Sequence, residues 1–154
     1  MNIFDYIDLT RICFLTEDNK KNVFTELVNI SKPCLHASEP FLEALLKREE
    51  LMSTGLGFEL AFPHSKCTSV VDFFITIGIA PAGIEWDSFD GIPVKLVFLI
   101  GGIIEEQEKY LKILAALSKL VNDDDSRKKL LEAKSPLEFY ENFYKAALTK
   151  QLII

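Results

Sequence analysis

Residues 48–64 read Arg48-Glu49-Glu50-Leu51-Met52-Ser53-Thr54-Gly55-Leu56-Gly57-Phe58-Glu59-Leu60-Ala61-Phe62-Pro63-His64. The stretch begins in an amphipathic helix and crosses a turn rich in hydroxyls and glycine. It then enters a short apolar strand that delivers a histidine behind a proline. Helix, tight turn and strand in that order bring an imidazole, a guanidinium, two hydroxyls and several backbone N–H groups into one neighbourhood. Such a place is suited to holding a phosphoryl group.

Upstream, the helix ending here is predicted over about Pro40 to Met52, with Phe41, Leu42, Leu45, Leu46 and Met52 facing the core. At 100° per residue Arg48 and Glu49 fall within that apolar arc, whereas Glu43, Lys47 and Glu50 point away. An earlier helix is expected over about Lys20 to Ser31, after a capping turn at Thr16 to Asn19, and a short strand over Ile12 to Leu15.

Downstream, Glu59 to Phe62, Val70 to Ala80 and Val94 to Ile100 read as strands, with turns at Pro81-Ala82-Gly83 and Asp90-Gly91. The long runs are apolar on both faces, which predicts a sheet covered on both sides. From Glu105 the pattern becomes helical, with Tyr110, Leu111, Leu114, Leu117 and Val121 in one stripe. Further helices are expected at about Asp124 to Ala133 and Ser135 to Ala147. The expected fold is α/β, a single mixed sheet flanked by helices on both faces.

At 154 residues the chain is expected to form one domain over 1–154, able to bury about 70% of its unfolded surface. A net charge of −6, with basic residues scattered singly or in pairs, argues against a nucleic-acid partner. Cys13, Cys34 and Cys67 are odd in number and fit a reducing compartment better than a disulfide framework. Met1 to Thr10 is too acidic for a signal peptide, and no apolar run approaches the ~18 residues of a membrane span. The expected place is the cytoplasm.

His64 is a neutral nucleophile at pH 7 without help from a base, and phosphoryl transfer to it needs in-line positioning and donors for the equatorial oxygens. Arg48, Ser53, Thr54 and the N–H groups of the Thr54–Gly57 turn are the candidates. Each also has a plainer reading: Arg48 as a salt-bridge partner of Glu49, Ser53-Thr54-Gly55 as a helix exit. Cys34-x-His36 and His64-x-x-Cys67 match no common zinc spacing, so neither metal nor cofactor is expected. Glu85, Asp87 and Asp90 read as a solvated turn, and Trp86 and Phe89 as a lid on the core.

The combination of Arg48-Glu49, Ser53-Thr54-Gly55-x-Gly57 and Ala61-Phe62-Pro63-His64 resembles the IIA domains of the phosphoenolpyruvate:sugar phosphotransferase system of the fructose/mannitol type. Within them it looks most like the stand-alone nitrogen-regulatory IIA proteins. The resemblance runs from about Phe4 to Phe143, through Trp86-Asp87-x-x-x-Gly91-x-Pro93-Val94. It implies that His64 takes a phosphoryl group, on Nε2, from an HPr-type carrier. Arg48, Ser53, Thr54 and Gly55 would help to hold the group, and Leu56, Phe58 and Phe62 would form an apolar docking patch. A second histidine common in the family is replaced here by Tyr110, which cannot carry positive charge near pH 7. The resemblance leaves three roles: a regulatory phosphocarrier, a sugar-specific IIA serving a separate IIB component, and a binding module independent of phosphorylation.

Overall fold

The computed structural model describes residues 2–152. Strand β1 (Ile7–Phe14) leads into helix α1 (Lys20–Ile30) and helix α2 (Ser38–Leu51). Three short strands follow: β2 (Gly55–Gly57), β3 (Leu60–Ala61) and β4 (His64–Lys66). The long strands β5 (Phe74–Ile84) and β6 (Val94–Gly102) precede helices α3 (Gln107–Val121), α4 (Asp124–Leu131) and α5 (Pro136–Thr149). One mixed sheet runs β1-β5-β6-β3-β2, with β4 also paired to β6. Its pairs are parallel for β1–β5, β3–β6 and β4–β6, and antiparallel for β5–β6 and β2–β3.

β6 shows why both faces are covered. Leu96, Phe98 and Ile100 point into a core shared with α3, α4 and α5, while Val97 and Leu99 point into a second core under α1 and α2. Alternate side chains on a strand leave opposite faces, so an unbroken apolar run demands two covering layers. The expected fold class is therefore the observed one.

Several element boundaries differ from expectation. β1 begins at Ile7, five residues before the predicted Ile12, because its outer positions Asp8, Leu9 and Thr10 are exposed on a sheet edge and break the apolar pattern. β5 starts at Phe74, and Val70 makes only an isolated bridge to Leu35. The predicted turn at Pro81–Gly83 is instead the irregular end of β5. The last pairing of β1 with β5 is Phe14 with Ile79, so the missing N–H of Pro81 costs no bond on that side. Met52 lies past the end of α2 and is 71% exposed, outside the core. On α3 the buried stripe is Tyr110, Ile113, Ala116, Leu117, Leu120 and Val121, which leaves Leu111 at the surface.

Candidate phosphoryl site

β3 and β4 are two pieces of one strand laid against β6. Leu60 pairs with Leu96, Ala61 with Val97, His64 with Ile100 and Lys66 with Gly102, a register that does not slip across Phe62-Pro63. Proline offers no N–H to a ladder, which explains the formal gap, but its carbonyl accepts from Ile100 N at 3.0 Å. Period-two alternation therefore carries Leu60, Phe62, His64 and Lys66 out of one face, toward α3. The first two enter the core, and the next two meet Tyr110 at its margin.

The half-buried His64 places Nδ1 2.7 Å from the carbonyl oxygen of Phe62. A carbonyl only accepts, so Nδ1 carries the hydrogen. Burial, with a smaller push from the Arg48 guanidinium, holds the imidazole pKa below its ordinary 6.5. The Phe62 hydrogen bond and Glu49 oppose this. The ring is thus neutral at pH 7, with its lone pair on Nε2.

Arg48 stands in the last turn of α2, which packs against β4, and donates from Nη1 to the Met52 carbonyl at 2.9 Å. Its charge also acts on Tyr110. Burial pushes that phenol far above its ordinary range, against the Arg48 pull, so Tyr110 is neutral. The Tyr110 and His64 ring centroids are 5.8 Å apart. Structure thus puts Arg48, His64 and Tyr110 at one place.

The turn between α2 and β2 is held from within. Thr54 is buried; its N–H donates to Glu49 Oε2 at 2.8 Å and its hydroxyl to Glu49 Oε1 at 2.5 Å, while Trp86 Nε1 donates to Thr54 Oγ1 at 3.2 Å. The Ser53 hydroxyl donates to the Trp86 carbonyl at 2.9 Å and accepts from Gly55 N at 3.2 Å. Lys20 Nζ joins Glu49 at 2.9 Å. A Cβ at Gly55 would lie 2.3 Å from Ser88 Oγ, so glycine there admits the loop that carries Trp86. In this structure the Ser53 and Thr54 hydroxyls and the Thr54 and Gly55 N–H groups, expected to face a phosphate, are engaged inside the protein. Their visible effect is to fix the turn. The inward position of Glu49 was readable from the helical arc; its partners Thr54, Trp86 and Lys20 were not.

Among the expected docking residues, Leu56 and Phe58 are 50% and 63% exposed. Phe62 is a correction: its alternation with Leu60 buries it against Phe98, ring centroids 5.2 Å apart, and it presents no surface. The aromatic lid divides likewise. Trp86 is wholly buried, whereas Phe89 is 97% exposed beside Leu56, its N–H donating to Gly55 O. The half-buried His64 does not line the cleft of about 500 Å³ at the start of α3, whose walls are Tyr6, Glu105–Lys109 and Lys112. Lys66, which the sequence reading passed over, extends its ammonium over the Tyr110 ring, 5.3 Å from the centroid. Among the described residues no cluster of three His, Cys, Asp or Glu could hold a metal, and no helix is long and apolar enough to cross a membrane.

The family model for the EIIA 2 component of the phosphoenolpyruvate-dependent sugar phosphotransferase system matches residues 6–146. A fructose-specific EIIABC component of Bacillus subtilis is 37% identical over 118 residues, 75% of this chain; the chain spans only 19% of that protein. A nitrogen regulatory protein of Bradyrhizobium diazoefficiens is 32% identical over 127 residues, covering 82% of this chain and 83% of its own length. The crystal structure of the nitrogen regulatory protein IIA-Ntr from Neisseria meningitidis shares the fold, with a TM-score of 0.85 at 24% identity, over 92% of this chain and 98% of that one.

Proposed function

The chain belongs to the EIIA 2 family of the phosphoenolpyruvate-dependent sugar phosphotransferase system, and from that premise we propose that it is a phosphocarrier whose acceptor atom is His64 Nε2. The donor is an HPr-type carrier, and the phosphorylation state serves mainly to regulate other proteins in the cytoplasm. The observation that carries this reading is the 2.7 Å contact of Nδ1 with the Phe62 carbonyl, which sets the tautomer and leaves Nε2 nucleophilic.

In the transfer, the Nε2 lone pair attacks phosphorus in line. The bond from phosphorus to the carrier's imidazole nitrogen breaks with its electron pair, and the carrier ring leaves neutral. The Phe62 carbonyl then stabilises the positive charge that spreads over the phosphorylated ring. Arg48 holds the equatorial oxygens, a charge-assisted contact worth about 1.5–3 kcal/mol. Ser53, Thr54 and Gly55 keep the turn in place, and Tyr110 offers a neutral hydroxyl where a second histidine would offer charge. Leu56 and Phe58 provide apolar area for the carrier.

Incubation with phosphoenolpyruvate, enzyme I and an HPr-type carrier, read by intact mass under alkaline conditions, tests the reading. One added phoshoryl group that is absent in His64→Ala is the expected result; no gain in the folded wild type overturns it. The similarity to a fructose-specific EIIABC component supports a second reading, a sugar-specific IIA. Under that reading the phosphorylated chain hands its group to a separate IIB component, and under the regulatory one it keeps it.

A further inference from the structure

Arg48 is the one permanent cation expected at the phosphoryl site. A phosphoryl group on nitrogen is an anion of nearly two charges at neutral pH, and Tyr110 is neutral there. The Ser53 and Thr54 hydroxyls and the N–H groups of Thr54 and Gly55 are already engaged by Glu49, Ser53 and the Trp86 carbonyl. The site therefore lacks charge on the α3 side.

β4 supplies a residue on that side. His64 and Lys66 leave the strand on the same face and both reach the Tyr110 ring, the imidazole centroid at 5.8 Å and the lysine Nζ at 5.3 Å. Nζ also donates to Oε1 of Gln107, one turn before Tyr110 on α3. The ammonium is thus tethered to α3 beside the same Tyr110 ring that the imidazole meets, on a stem of four methylenes with two further donors to offer.

We propose that Lys66 is a phosphate-binding residue of this chain, supplying the second cation of the phosphoryl site from strand β4 where α3 presents Tyr110. The proposal rests on His64 as the phosphoacceptor.

The test uses Lys66→Met and Lys66→Arg, with His64→Ala as control. All are phosphorylated by potassium phosphoramidate, a small-molecule donor that needs no carrier docking. Thermal melts confirm that each variant is folded, as expected for a half-exposed side chain. ³¹P NMR follows the second ionisation of the phosphoryl group. A neighbouring cation lowers that ionisation, so Lys66→Met is expected to raise it by on the order of one unit, with Lys66→Arg close to wild type. Superimposable titrations of wild type and Lys66→Met overturn the proposal. A wild type with no phosphohistidine signal dependent on His64 overturns the phosphoacceptor reading and this proposal together.

Discussion

At His64 two effects on one ring can be separated by titration. Burial and the Arg48 charge favour the neutral imidazole, while the Phe62 carbonyl and Glu49 favour the protonated one, and the first pair prevails. A histidine whose folded pKa is depressed imposes no cost above its unfolded value. As pH falls through about 6.5 the unfolded chain takes up the proton first, so stability declines until the folded pKa is passed. Urea unfolding at pH 7.5 and 5.5 is therefore expected to show a loss at the lower pH that is smaller in His64→Ala; an equal loss in both would place the pKa shift elsewhere. The identities of His64 and Arg48 as neighbours were legible, because a helical arc and a strand period place them without knowledge of the rest of the fold. The inner duties of Thr54 were not. Its partner Trp86 stands 32 residues away, and no local pattern links two residues across a sheet edge. Phe62 was misread for a related reason: in so apolar a strand nothing local shows that both faces are covered, Leu60 and Phe62 by the α3–α5 core and Ala61 by the α1–α2 core.

The β2–β3 hairpin carries a cost that its sequence does not announce. Phe58 and Glu59 both adopt positive φ, 55° and 69°, the geometry of a two-residue turn that ordinarily asks for Asn-Gly. Each non-glycine residue held there costs roughly 1–2 kcal/mol. Part of the cost is offset by contacts: Arg127 lies 4.7 Å from the Phe58 ring centroid, Asp90 accepts from Phe58 N, and Glu59 pairs with Lys95 at 3.0 Å. The Arg127–Phe58 and Lys95–Glu59 contacts are worth a few tenths to about 1 kcal/mol each. The double variant Phe58→Asn/Glu59→Gly is expected to be more stable by about 1 kcal/mol in urea unfolding. It should also accept phosphate more slowly from limiting carrier, since it lacks an exposed ring beside Leu56. A variant that gained stability and kept its rate would remove Phe58 from the docking surface.

Across the whole molecule, one sheet separates two cores that do different work. The α1–α2 core lies beneath the Arg48 turn, whereas the α3–α5 core backs the face that ends in His64 and Lys66. Phe143 sits deep in the latter, wholly buried and packed on Phe4, Phe98 and Phe139, remote from the turn. Phe143→Ala is expected to lower the unfolding free energy by about 3–5 kcal/mol with an unchanged denaturant slope. Where the variant remains folded, His64 should still accept a phosphoryl group; loss of acceptance there would mean that the two cores are not separable. The covered sheet was legible at this scale from apolar runs alone. The order of its strands was not, because nothing in residues 60–66 records that they lie in one register along residues 96–102.

Trp86 is the only tryptophan of the chain, and its indole nitrogen ends on the Thr54 hydroxyl while Lys20 lies 5.5 Å from its ring. Indole emission responds to the polarity and hydrogen bonding of its surroundings, so every photon this protein emits under selective tryptophan excitation originates beside the Ser53–Gly55 turn. The molecule thus carries its own optical gauge of that turn, and its motions can be followed without a label.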